Sequence, residues 1–90
     1  MNFIEETIKA TILYNLGRKK FIGGVHMPFD ALKQGFPPHL GRVINKIAKE
    51  LIKEGYLGTR HDSDGVQVSL NKGRLREIEE FIFKELGIQM

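Results

Sequence analysis

Two groups of polar side chains in this 90-residue sequence have the residue types of a metal site. The first group is the three histidines, His26, His39 and His61, and no two of them have the spacing that places two ligands on one helix face. The second group is the run 62–65, Asp-Ser-Asp-Gly, which resembles the beginning of a calcium loop. The fifth and twelfth positions of such a loop would be Val66 and Gly73, which have no side-chain oxygen. We therefore expect no metal site and interpret the run as a turn.

Residues for covalent catalysis or cofactor binding are equally sparse. The chain has no cysteine, which excludes disulfides, thiolate-bound zinc and cysteine nucleophiles. It also lacks a nucleophile elbow, a P-loop and the glycine fingerprint of dinucleotide-binding folds. We therefore expect neither an enzyme nor a cofactor, and the lack of cysteine fits a reducing cytoplasm.

Cations with a helical spacing are a stronger functional signal. With residues placed about 100° apart, one sector of roughly 60° in the segment 38–54 is apolar: Leu40, Ile44, Ile47 and Leu51. A sector of roughly 80° on the opposite side is basic: His39, Arg42, Lys46, Lys49 and Lys53. Such a face either keeps a surface helix hydrated or contacts a polyanion.

The helices that carry these residues are predicted from the spacing of apolar residues and from glycine and proline at the helix ends. Apolar residues at every fourth position predict a first helix over Phe3–Leu16, closed by Gly17. A second helix of about two turns is predicted to start at Pro28 and to end at Gln34, before Gly35. A third, beginning at Pro38, is predicted over about His39–Glu54. The basic face therefore belongs to the third predicted helix.

The remaining elements are β-like except for the last. The segment Phe21–Met27 is predicted as a short strand or an extended loop. Two strand-like runs, Tyr56–His61 and Val66–Leu70, flank the Asp-Gly turn and predict a hairpin. Apolar and polar residues alternate in the second run, so one face of the hairpin should be buried. A fourth helix is predicted to follow Asn71 as its N-cap and to reach Leu86.

This order of elements resembles that of a winged helix-turn-helix domain. Residues 40–57 are similar to the recognition helix and strand entry of MarR-like and ArsR-like transcriptional regulators, most clearly in Leu51 followed after three residues by Gly55-Tyr56-Leu57. The resemblance implies an α+β winged helix-turn-helix fold, with a three-helix core, a β-hairpin wing and a C-terminal helix. The whole chain, 1–90, would form this one domain.

The resemblance also implies a DNA-binding transcriptional regulator whose third helix, about residues 38–54, enters the major groove of double-stranded DNA. Arg pairs with guanine and Asn with adenine, so the first half of the helix would approach base edges: His39, Arg42, Asn45 and Lys46. Lys49 and Lys53 would lie nearer the phosphates. Alternatively, Asn45 caps the contact with the second helix.

Two features leave the mode of binding open. Arg60 and His61 either belong to a DNA-contacting wing or are simply solvated, and Asp62 and Asp64 at the wing tip would repel phosphate. The side of the fold that residues 18–20 face does not follow from the sequence. As an alternative function, the same fold would bind another protein of the transcription or RNA machinery without contacting specific DNA.

Excess apolar surface predicts a homodimer. The first helix has a second apolar stripe beside the one that repeats at every fourth residue, and we expect that a single core cannot bury both. Phe81 and Phe83 widen the apolar stripe of the fourth helix to about 200°. We therefore expect a two-fold interface formed by these helices, with these contact residues: Phe3, Tyr14, Phe81 and Phe83.

Composition agrees with one small soluble domain. The net charge is +3, and the segments 18–38 and 39–61 each carry +3, so the positive charge is central. No apolar run reaches the roughly 18 residues of a membrane span, and Glu5 and Glu6 occupy the region where a secretory signal is basic. We expect a cytoplasmic protein without membrane contact, and the sequence identifies no effector ligand.

Overall fold

The apolar periodicities produce three α-helices and the Asp-Gly turn produces a hairpin, within the residues 3–90 that the computed structural model describes. Side chains are described from Ile4 onward. The elements in chain order are α1 (Phe3–Arg18), β1 (Met27–Pro28), a 3₁₀ helix (Phe29–Lys33), α2 (Gly41–Lys53), β2 (Leu57–Asp62), β3 (Gly65–Leu70) and α3 (Leu75–Leu86). Short 3₁₀ turns at Pro38–Leu40 and Lys72–Arg74 lead into α2 and α3. The fold is α+β.

Helix α1 is the centre of the fold, because it packs against both α2 and α3. Its apolar residues are buried on more than one side: Ile8, Ala10, Ile12, Leu13 and Leu16. Contrary to the expectation, the core buries most of the described residues of both stripes, although Ile4 at the start of the helix is 68% exposed. A helix enclosed by two others needs an apolar surface wider than one stripe.

The C-terminal end of α1 also differs from its prediction. Gly17 lies inside the helix, and a Cβ there would be 2.0 Å from Sδ of Met90, so the C-terminal residue covers this position. The helix closes at Lys20, which has a left-handed φ of 66°. The N–H groups of Lys20 and Phe21 donate to the carbonyls of Gly17 and Leu16 over 3.1 and 2.9 Å, which is a Schellman closure.

The second predicted helix is shorter than expected. Only the 3₁₀ helix Phe29–Lys33 forms, after the two-residue strand β1. Pro28 precedes it in an extended conformation and Gly35 follows with φ 89°, so few residues remain for helical turns. Leu32 anchors the turn in the core.

The sheet has the order β1-β3-β2, and β3 is antiparallel to both neighbours. Val68 and Leu70 are buried on the core side, as the alternation predicts, whereas Val66 near the tip is 36% exposed. The second face of β3 is also covered. Ser69 Oγ donates to the carbonyl of Gly23 over 2.9 Å, so the segment before β1 shields it.

Helix α3 packs on α1 through Ile78 and Ile82. Asn71 caps its leading 3₁₀ turn, as predicted, because its Oδ1 accepts from the N–H of Gly73 over 3.0 Å. None of the helices described is both long enough and apolar enough to cross a bilayer.

Candidate nucleic-acid interface

Helix α2 has one buried and one exposed face. Ile44, Ile47 and Leu51 are fully buried, as predicted, and Ala48 joins them. This face packs against α1, the 3₁₀ helix and β2. Leu40, in the turn before α2, is half-buried. The contacts fix which side of α2 points to solvent.

The solvent side of α2 carries four cations, here called the α2 stripe: Arg42, Lys46, Lys49 and Lys53. All four residues are exposed. Their spacing of four, three and four residues aligns them over about 16 Å at 1.5 Å per residue. His39 is exposed in the turn just before the helix. The stripe can therefore follow a row of phosphates or enter a groove.

One cation of the stripe has an acidic partner. Lys46 Nζ lies 3.4 Å from Glu5 Oε2 on α1, although 60% of the lysine side chain is exposed. This contact reduces the positive field at that point of the stripe. Asn45, predicted either to read bases or to contact the second helix, is half-buried at the border of the exposed face.

A fifth cation lies beside the first turn of α2, where the sequence analysis missed it. A Cβ on Gly41 would lie 3.6 Å from Cδ of Lys33, so the exposed lysine of the 3₁₀ helix flanks the helix start. The loop 34–40 folds back and brings the two segments together. The sequence signal was only a basic residue at the end of the second predicted helix.

The hairpin tip is electrostatically different from α2. Arg60 pairs with Gln67 of β3 and His61 with Val66, so alternation places the two predicted wing residues on opposite faces. Arg60 Nη2 also lies 3.6 Å from Asp62 Oδ2. The carboxylate of Asp62 accepts the N–H of Asp64 over 2.9 Å and thereby shapes the turn. The strands and turn 57–70 therefore carry one more acid than base.

A second basic cluster, residues 18–20, is exposed at the C-terminal end of α1. Lys19 lines a small pocket together with Ala31 and Gln34 of the segment that precedes α2. Of this cluster, Lys19 therefore lies on the side of the molecule where the 3₁₀ helix packs.

Contacts of Arg74 join the C-terminal end of α2 to α3. Its Nη1 donates to the carbonyl of Glu54, its Cζ lies 4.3 Å from the centre of the Tyr56 ring, and its Nη2 is 2.8 Å from Glu77 Oε2. The hydrogen bond with Arg74 lowers the pKa of the Glu77 carboxyl, and it raises the pKa of the guanidinium. Asn71 Nδ2 adds a 2.7 Å bond to the carbonyl of Gly55.

The residues predicted for a dimer interface have different surroundings. Tyr14 and Phe81 pack partly buried against the core of their own chain, whereas Phe83 is 57% exposed. The side chain of Phe3 lies outside the described residues. Of the three predicted residues whose side chains are described, Phe83 has the ring most open to a partner.

Among residues 3–90, no group of three or more histidine, aspartate or glutamate side chains is placed to hold a metal ion. Comparisons with protein-family models, with curated proteins and with solved structures give no match to this chain.

Proposed function

We propose that this chain is a winged helix-turn-helix protein that binds double-stranded DNA and regulates transcription. The element order, with a helix before and after a β-hairpin, supports the fold, and so does the resemblance of residues 40–57 to MarR-like and ArsR-like regulators. The α2 stripe is the observation that carries the function, because its cations lie opposite the buried face of α2.

In this proposal α2 lies in the major groove, which is about 12 Å wide and accepts one helix. Arg42, near the start of α2, approaches base edges, where it can pair with guanine through two hydrogen bonds. Lys49 and Lys53 neutralise phosphates, and Lys33 adds a contact at the helix start. Lys46 must exchange its partner Glu5 for DNA.

Salt dependence tests the proposal directly. Binding to a pool of random duplexes should weaken with a slope of log K against log salt of about −0.9 per phosphate contact, or about −3.6 to −4.5 for four or five cations. Selection from the same pool should enrich one site, and a palindromic site would indicate two-fold symmetry. A slope near zero would contradict DNA binding.

The exposed ring of Phe83 favours the alternative function, a fold that binds another protein of the transcription or RNA machinery. Such a complex should depend only weakly on salt, because apolar contact displaces no counterions from a phosphate backbone. Loss of its partner in Phe83→Asp, with no DNA binding by the wild type at low salt, would favour this alternative.

We also propose that the protein acts as a homodimer through α3, with Phe83 at the two-fold axis. Sedimentation equilibrium near micromolar concentration should give about twice the 10.3 kDa chain mass. Phe83→Asp should yield the monomer, whereas Val25→Asp, at an exposed apolar residue in the loop before β1, should remain dimeric. A wild-type monomer would contradict the dimer.

A further inference from the structure

A small cavity lies where α1, the C-terminal end of α2 and α3 meet. Its volume is about 90 Å³, and its lining consists of Lys9, Leu13, Glu54, Tyr56 and Phe81. Leu13 is buried and the two aromatic rings are half-buried, so these three side chains form an apolar interior. The proposed DNA contacts use none of them.

The two charged residues of the lining lie at the entrance of the cavity. Lys9 Nζ and Glu54 Oε1 are 3.4 Å apart, and the two residues come from different helices. Both also line an open surface groove with Glu50 and Lys53, so they lie between the cavity and that groove. A cation and an anion therefore stand side by side above an apolar space.

We propose that this cavity binds a free α-amino acid with a small branched aliphatic side chain, such as valine or leucine. The ammonium group of the ligand would bind Glu54 and its carboxylate would bind Lys9, which matches both charges at the entrance. The side chain would fill the space among Leu13, Tyr56 and Phe81. This function is independent of DNA binding.

The volume sets the size of the ligand side chain. A cavity of about 150 Å³ holds benzene, which has six carbon atoms, so a space of this size suits three or four. Indole or phenyl side chains are too large. The ligand must separate Lys9 from Glu54, whose side chains are 16% and 48% exposed. Lys9 Nζ also lies 3.9 Å from Glu6 Oε1, so the lysine keeps an acidic neighbour when the ligand enters.

Calorimetric titration of the wild-type protein with L-valine and L-leucine tests the site. We expect saturable binding of at least one of them, and a melting temperature that rises with its concentration because the ligand binds only the folded state. Three compounds act as controls: 4-methylpentanoate lacks the ammonium group, glycine lacks the side chain, and L-tryptophan exceeds the volume. Each should bind at least tenfold more weakly. Equal binding of 4-methylpentanoate, or no binding of valine and leucine at millimolar concentration, would overturn the proposal.

Two matched variants locate the binding. Glu54→Gln removes the charge that holds the ammonium group, and because Glu54 is exposed the fold should persist. It should weaken binding at least tenfold. Glu50→Gln, one turn earlier on α2 and outside the cavity, should leave the affinity unchanged. Unchanged binding in Glu54→Gln would show that the ligand lies elsewhere.

Discussion

The α2 stripe and the hairpin tip both expose cations, yet only α2 collects them on one side. A helix brings residues three and four apart onto the same face, so its four cations share one surface. A strand sends neighbouring residues to opposite faces, so Arg60 and His61 diverge. Whether cations form one continuous positive surface therefore depends on how a helix or strand directs successive side chains, rather than on the number of cations.

Acidic neighbours increase the difference in positive charge between the α2 stripe and the hairpin tip. In the hairpin, Asp62 lies beside Arg60 and Asp64 adds a second negative charge at the tip. In α2, Lys46 has an acidic partner, Glu5, which belongs to another helix. We therefore expect DNA contact to depend mainly on α2 and little on the hairpin.

The largest expected effect is on the free energy of unfolding, and it compares the packing beneath the α2 stripe with the packing at the hairpin tip. Ile47→Ala removes a fully buried side chain beneath the α2 stripe and should lower the free energy of unfolding by about 2 to 5 kcal/mol. Val66→Ala, near the exposed tip, should change it by less than about 0.5 kcal/mol. Urea denaturation measures both. Equal losses would mean that the tip is packed as tightly as α2.

The next effect concerns DNA affinity. Arg42→Ala should weaken binding by about 1 to 3 kcal/mol and relax the sequence preference, while Lys49→Ala should reduce the salt slope by about one unit. Arg60→Ala should have a smaller effect, because Asp62 already partly neutralises Arg60. Lys46→Ala should also weaken binding, though less than Arg42→Ala.

Fluorescence anisotropy at several salt concentrations measures these changes, with melting temperatures as the control for folding. If Arg60→Ala weakened binding more than Arg42→Ala, the hairpin would be the principal contact and the comparison would be reversed.

A smaller effect should follow from removing negative charge at the tip. Asp62→Asn keeps an oxygen that can accept the N–H of Asp64 but frees Arg60 from its ion pair. DNA affinity should rise a few-fold at low salt and less at high salt, because screening weakens exposed charges. Glu85→Gln on α3 is the control, since it removes one negative charge away from both the hairpin and the groove that Phe83 lines. An equal gain in both variants would reflect net charge alone.

The smallest effect concerns acid stability at the junction of α2 and α3. Arg74 lowers the pKa of Glu77 in the folded state, so the pair stabilises the fold above the unfolded-state pKa. That contribution is lost as the pH falls through the lower, folded-state pKa. Glu77→Gln should therefore reduce the fall in melting temperature below about pH 4.5, near the ordinary glutamate pKa. Unchanged acid sensitivity would contradict the contact, and DNA affinity near neutral pH should not change.

The sequence predicted the elements that depend on local periodicity. The spacing of Ile44, Ile47 and Leu51 identified the buried face of α2, and Asn71 identified the cap before α3. Strand alternation could also have separated Arg60 from His61, since it requires only neighbouring positions in one strand.

Features that depend on distant segments could not be predicted. Gly17 has the residue type of a helix end, but the tight space beneath Met90 is a consequence of tertiary packing. The second apolar stripe of α1 indicated a partner surface, and that surface is α3 of the same chain. The position of Lys33 beside Gly41 likewise depends on how loop 34–40 folds back.

The contacts of Arg74 have a mechanical consequence. By holding the Glu54 carbonyl, the Tyr56 ring and Glu77 at once, this side chain braces the corner between α2 and α3. Helix α3, about 18 Å long at 1.5 Å for each of its 12 residues, continues from this corner. In a dimer joined through α3, the angle of this corner would set the separation of the two α2 helices and thus the spacing of the half-sites they reach.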